Sequence, residues 1–282
     1  MRSAFTFPRT VPGWVYFAFA ALLFALMSYA LFSYALSREV GSDVAAYWSA
    51  AERIRAGDPL YVAGAANASD AYRYAPWFAF AWVPLTFLPR EAVTAAWVGL
   101  MIAAAIVSTV PLVRHGLAGA AAILLFAPIQ LQAAVFGNVQ PLLVLMLLWG
   151  VERRTGPLWI AIGASLKAVP MLLALVYAGR GEWGRAAAAA ILAAALVAPA
   201  LLFDLSAYST DPGPGQMSLT SVAGQLFIAV AILLVSATYA VARAGSRFAW
   251  LSGGLAMVMS LPRLLDYEIG FLLVGLAQRR RD

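Results

Sequence analysis

Ten apolar runs separated by short polar breaks constrain this chain more than any other feature of its sequence; they lie at 14–36, 75–89, 92–113, 117–135, 139–151, 157–178, 186–203, 221–242, 249–261 and 264–277. Backbone N–H and C=O groups that pass through lipid have no water to bond, so runs of this kind are satisfied only as helices. The predicted fold class is all-α: a polytopic transmembrane bundle of about eight to ten spans, forming one integral-membrane domain over residues 1–282. Several runs fall short of the roughly 20 residues of an ordinary span. These are expected to be half-helices or re-entrant pieces, which survive where protein or a water-filled cavity covers the backbone. Composition points the same way, with 63% hydrophobic and 11% charged residues against about 25% charged in a soluble domain. A soluble enzyme is excluded.

The net charge of +6 is scattered between the apolar runs and makes no basic stripe, so no nucleic-acid partner is expected. The positive-inside bias of membrane proteins accounts for the excess. The chain has no cysteine and a single histidine, His115, which leaves no thiolate or His-rich metal site; neither metal nor cofactor is expected. The first run is longer than the core of a cleavable signal and reads as a retained span. Arg2, Arg9, Arg279, Arg280 and Arg281 place both termini in the cytoplasm for an even count of spans. Alternating crossings through all ten runs also put Arg180, Arg185, Arg243 and Arg247 inside, but leave Arg153 and Arg154 outside, against the rule.

The longest polar interval, 37–74, follows the first span on the outer face and holds Asp43, Glu52, Arg53, Asp58 and Arg73 among its charges. Within it Val44, Tyr47, Trp48, Ala51 and Ile54 recur at helical spacing, with Ser42 as N-cap and Gly57 as stop. An amphipathic helix on the membrane surface is predicted. A second polar loop, 204–220, carries the turn Asp211-Pro212-Gly213-Pro214-Gly215.

Four features carry candidate chemistry. Asp43, at the start of the surface helix, is placed either to act as general base on an acceptor hydroxyl or to stabilise the helix N-terminus. Lys167, the single lysine, lies inside an apolar run, where an ammonium costs at least about 2.5–3.5 kcal/mol. It needs a phosphate-bearing ligand, an ion pair or an interface. Arg263, after the Pro262 break, offers a planar fork to phosphate or a partner to Asp266 or Glu268. Gly137-Asn138-Val139-Gln140 is either a turn or a polyol-binding break; alternating crossings place it on the face opposite Asp43. Trp48, Tyr72, Tyr74, Trp77 and Trp82 suit stacking on sugars as well as an interfacial belt.

Taken together these residues resemble the polyprenol-phosphate-sugar-dependent glycosyltransferases of family 87, which have the C-type glycosyltransferase fold. The resemblance runs from Ser42-Asp43 through Gly57-Asp58-Pro59-Leu60-Tyr61 and Tyr72-Arg73-Tyr74-Ala75-Pro76 to Lys167 with Pro170, and to Pro262-Arg263 with Tyr267-Glu268. Gly137-Asn138-Val139-Gln140 is similar to the family's Gly-Gln-x-Asn break with the two amides exchanged, and the chain is shorter than is usual in the family. The resemblance implies that Asp43 is the catalytic base and that Lys167 and Arg263 bind the donor phosphate. It implies substrate contacts from Trp48, Arg73, Tyr74, Asn138, Gln140, Tyr267 and Glu268. The expected function is an inverting transfer, most simply of mannose, from a polyprenyl-phosphate sugar to a lipid or glycan acceptor. The expected setting is the extracytoplasmic face of a bacterial cell membrane, among membrane lipids. A transporter or flippase of a lipid-linked sugar, or a non-catalytic membrane scaffold, would use the same apolar framework.

Overall fold

Glycine and proline cut the apolar runs into helices of very unequal length. The structure is a computed structural model and describes residues 11–37, 39–62, 71–208, 219–261 and 263–276. The terminal arginines, the 211–215 turn and Pro262 lie outside the described residues. Among the described residues there are only α-helices and 3-10 segments, and no strand. In chain order the helices are α1 (Val11–Leu36), α2 (Val44–Ala56), α3 (Pro76–Trp82), α4 (Arg90–Thr109), α5 (Gly116–Phe136), α6 (Gln140–Gly150) and α7 (Gly156–Leu166). They continue as α8 (Ala174–Gly179), α9 (Trp183–Val197), α10 (Leu219–Ala223), α11 (Phe227–Arg243), α12 (Ala249–Met259) and α13 (Leu273–Leu276).

Two stretches among the described residues are long and apolar enough to cross a membrane: Arg90–Phe136, and Trp183–Leu202 with its 3-10 end. The second is not a core helix, because it turns Ile191, Val197, Leu201 and Leu202 outward. Large apolar side chains are also exposed along α1 and α11, among them Leu22, Leu26, Ile228 and Ile232. So much outward apolar surface has no use in water; it suits lipid.

Inside, α2 and α3 form an aromatic nest. Tyr47 has no exposed surface and sits edge-on to Phe78 at 5.1 Å, with Trp82 at 5.2 Å and Trp97 of α4 at 6.1 Å. These contacts alter two expectations. The 75–89 run is not one continuous helix: it breaks into the 7-residue α3 and the 3-10 segment Val83–Phe87, in which Pro84 removes a helix N–H. The surface helix α2 lies under this cover, with Val44, Ala46, Tyr47, Trp48, Ala50 and Ala51 all buried. Gly57 ends α2 at φ 75° as expected, whereas the N-cap is Asp43 and not Ser42.

The 157–178 run is likewise not one helix. It stops at Leu166, passes through Lys167 in extended geometry (φ −140°, ψ 117°), and resumes as the 3-10 segment Val169–Leu173 and then α8. Pro170 explains the stop, since in a continued helix it could not donate to the Leu166 carbonyl and its ring would clash there. At the far ends of α7 and α8 a second polar group forms. Arg180 pairs with Glu152 at 2.9 Å, Trp250 donates to the same carboxylate, and Arg185 donates to the carbonyls of Val151 (3.0 Å) and Arg153 (2.6 Å).

Candidate active site

Asp43 is placed by backbone bonds that tie the start of α2 to the end of α5. The Gly41 N–H donates to the Val135 carbonyl at 2.8 Å, and the Asp43 N–H donates to Phe136 at 2.9 Å. α5 then ends in a left-handed turn at Gly137 (φ 73°), which turns Asn138 back toward Asp43. Asn138 Nδ2 donates to Asp43 Oδ2 at 2.6 Å and reaches the Tyr267 hydroxyl at 3.4 Å. The break expected on the face opposite Asp43 is therefore in direct contact with it.

The Asp43 side chain makes no capping bond to the free amides of α2, so helix capping does not account for the carboxylate. Burial raises its pKa above the ordinary value, opposed by the Asn138 hydrogen bond and by the charge of Lys167. Lys167, at the interruption after α7, pairs with Glu268 at 3.2 Å and lies 5.0 Å from the centre of the Tyr267 ring. The other Glu268 oxygen accepts the Leu265 N–H at 2.9 Å and so starts the 3-10 segment Asp266–Leu272. Glu268 is thus bound to Lys167 and to its own turn, which answers where the buried ammonium finds a counter-charge. Asp43, Asn138, Lys167, Tyr267 and Glu268 form one polar cluster in an apolar bundle, drawn from four separate stretches of the chain.

Three tyrosines hold the flank of this cluster. The hydroxyls of Tyr208, Tyr61 and Tyr72 donate to the successive carbonyls of Arg73 (3.3 Å), Tyr74 (3.0 Å) and Ala75 (2.8 Å). This satisfies an extended segment that has no sheet partner. Tyr74 is thereby set 3.3 Å, hydroxyl to hydroxyl, from Tyr47, which in turn accepts the Val139 N–H at 3.3 Å. Tyr47 is a residue that the sequence reading assigned only to the apolar face of α2. Its spacing of four from Asp43, on one helix face, was the available signal.

The remaining expected residues are distributed differently. The ring of Trp48 is buried in the main apolar core. Trp77 donates to Ser165 of α7 at 3.1 Å. The side-chain amide of Gln140 is fully buried and makes no hydrogen bond with the described residues. Arg263 is half-buried three residues ahead of the Asp266–Leu272 segment. Among the described residues no group of acidic or His side chains could hold a metal.

A sequence model of glycosyltransferase family 87 matches residues 72–261, about two thirds of the chain. The chain belongs to glycosyltransferase family 87. No curated protein and no solved structure matches it. Within the family 87 match lie Arg73, Tyr74, Asn138, Gln140 and Lys167; Asp43, Tyr267 and Glu268 fall outside it. The fold closes that gap physically, because Asp43 is bonded to Asn138 and Glu268 to Lys167. Membership of family 87 makes the protein a glycosyltransferase with a sugar donor and an acceptor.

The geometry at Gly137 is directly testable. A Cβ there would lie 2.6 Å from Val44 Cγ2, in a left-handed conformation. Gly137→Ala should destabilise the protein by about 1–2 kcal/mol from the backbone alone, plus the overlap with Val44. A lower melting temperature in detergent, with transfer activity reduced as Asn138 shifts, is the expected result.

Proposed function

We propose that this protein transfers a sugar, mannose in the simplest case, with inversion, from a polyprenyl-phosphate donor to a hydroxyl of a lipid or glycan acceptor. The observation that carries this reading is the convergence of Asp43 and Lys167 on one buried cluster. A carboxylate and an ammonium held in this way supply the two groups the displacement needs. The Asp43 carboxylate takes the proton of the acceptor hydroxyl as its oxygen bonds to the anomeric carbon. The bond from that carbon to the phosphate oxygen breaks, and its electron pair leaves with the lipid phosphate. Lys167 stabilises the charge gained by the departing phosphate. One carboxylate suffices, in contrast to the paired carboxylates of glycosidases, since phosphate leaves without protonation. For Lys167 to meet the donor, Glu268 must yield part of its contact. Arg263, on the outer connection ahead of Tyr267, is assigned to the phosphate as it approaches.

The same reading takes one membrane domain through the bilayer ten times, although not by one crossing per apolar run. Residues 75–89 stay outside, and the chain crosses twice over 157–178 by turning back at Lys167. Asp43, Asn138, Lys167 and Tyr267 then share the outer side, and Arg153, Arg154, Arg180, Arg185 and Arg243 the cytoplasmic side, as the positive-inside bias favours. The support is the pair of polar clusters at opposite ends of the 11-residue α6, about 16 Å apart along its axis. Because the chain has no cysteine, labelling tests this cleanly. Arg154→Cys should react with an impermeant maleimide only from the cytoplasmic side and Asp58→Cys only from the outside; the reverse at Arg154 overturns the topology.

Activity is tested by incubating the purified protein with radiolabelled polyprenyl-phosphate mannose and octyl α-mannoside. Formation of a dimannoside with release of polyprenyl phosphate is expected. An intact donor, or donor carried across a vesicle membrane without transfer, overturns the reading.

A further inference from the structure

The amide of Asn138 is committed within the protein. Its oxygen accepts the Gln140 N–H at 2.9 Å, which fixes the orientation of the side chain, since the opposite orientation would set two donors against each other. The nitrogen end therefore faces Asp43. An amide nitrogen has two hydrogens, and both find receivers here, Asp43 Oδ2 at 2.6 Å and the Tyr267 hydroxyl at 3.4 Å. The backbone below is held as firmly. Asn138 donates its own N–H to Ala133 at 2.9 Å, the Gly137 carbonyl accepts from Trp97 Nε1 at 2.7 Å, and Val139 donates to Tyr47. A residue whose donors are spent internally and whose turn is anchored on both sides is poorly suited to following a sugar.

We propose that Asn138 is a positioning residue: it occupies Asp43 Oδ2, so that only Oδ1 is presented to the acceptor hydroxyl. This rests on Asp43 being the base. An amide suits the task because it donates without titrating. A cation in its place would bind the carboxylate more strongly and leave it a weaker base. The groups that face Asp43 are Tyr47 on α2, Tyr74 on the extended segment, Tyr267 on the 3-10 segment and Lys167 after α7, with Glu268 behind Lys167. Asn138 and Lys167 favour the ionised carboxylate, against the burial that disfavours it.

The test is the pH profile of transfer from polyprenyl-phosphate mannose to octyl α-mannoside, for the wild type, Asn138→Leu and Asp43→Asn. With Asn138→Leu, kcat should fall about 10²-fold through misalignment of the base, and the acidic limb of the profile should move to higher pH. KM for the acceptor should change little. A raised KM with an unmoved acidic limb makes Asn138 a substrate ligand and overturns the proposal. Equal activity of wild type and Asp43→Asn overturns instead the assignment of Asp43 on which it rests. Asn138→Ala removes the donor without adding bulk; if Asn138→Leu does not elute as a single species in detergent, the decision passes to this variant. An acidic limb displaced upward with acceptor KM unchanged sustains the proposal, and an undisplaced limb overturns it.

Discussion

Asp43→Asn should abolish transfer, by roughly 10²–10⁴-fold as general-base catalysis contributes, while leaving the protein folded. The substitution is conservative in every respect except basicity. An asparagine side chain at this position still offers an oxygen to Asn138, and the carboxylate it replaces makes no capping bond to α2. The effect on stability has a definite sign. The folded-state pKa of Asp43 is raised by burial, so the folded protein binds this proton more tightly than the unfolded chain. The ionised carboxylate is therefore a cost to folding above that pKa, and stability rises as pH falls through it. Removing the charge should leave the melting temperature at neutral pH equal to that of wild type or above it. Loss of activity with retained or increased stability marks a group kept for chemistry. Normal transfer by the variant would sink the mechanism.

The second large effect concerns Lys167, where activity and stability should separate. Lys167→Met removes the group that stabilises the departing phosphate, and transfer should fall about 10²–10³-fold, as on removing one donor to a developing oxyanion. It also leaves Glu268, with a side chain 7% exposed, without its counter-charge. Breaking a buried pair from one side costs about 3–5 kcal/mol, visible as a lower melting temperature. The double variant Lys167→Met with Glu268→Gln removes both charges. The introduced amide oxygen can still accept the Leu265 N–H that Glu268 accepts now, so stability should return while transfer stays lost. Recovery of transfer in the double variant would show that Lys167 serves only the ion pair.

Much of the framework was legible from residue order. Asp43 and Lys167 could be singled out because an ionisable group in so apolar a chain needs a reason to be there. The stop of α2 at Gly57 followed from the left-handed geometry that glycine adopts without strain. What could not be read was partnership. Glu268, five residues from Arg263, is bound to Lys167, 101 residues away. Trp48 suited a sugar platform or an interfacial belt, and its ring is packed into the apolar core, while Phe78 and Trp82 of α3 close on Tyr47.

The topology shows where the two kinds of information divide. By itself the sequence determined the all-α class, since lipid leaves backbone groups no partner outside their own helix, and it marked the break at Gly137, whereas the one at Lys167 ahead of Pro170 emerged only in the fold. Only the tertiary structure decided which breaks meet. Run 75–89 is as apolar as a span, yet it breaks into a 7-residue helix docked on α2 and a 3-10 segment. Hydropathy is additive along the chain and records how apolar each run is. Whether a run crosses or folds back depends on which surface offers the better packing, and only the assembled neighbours specify that surface.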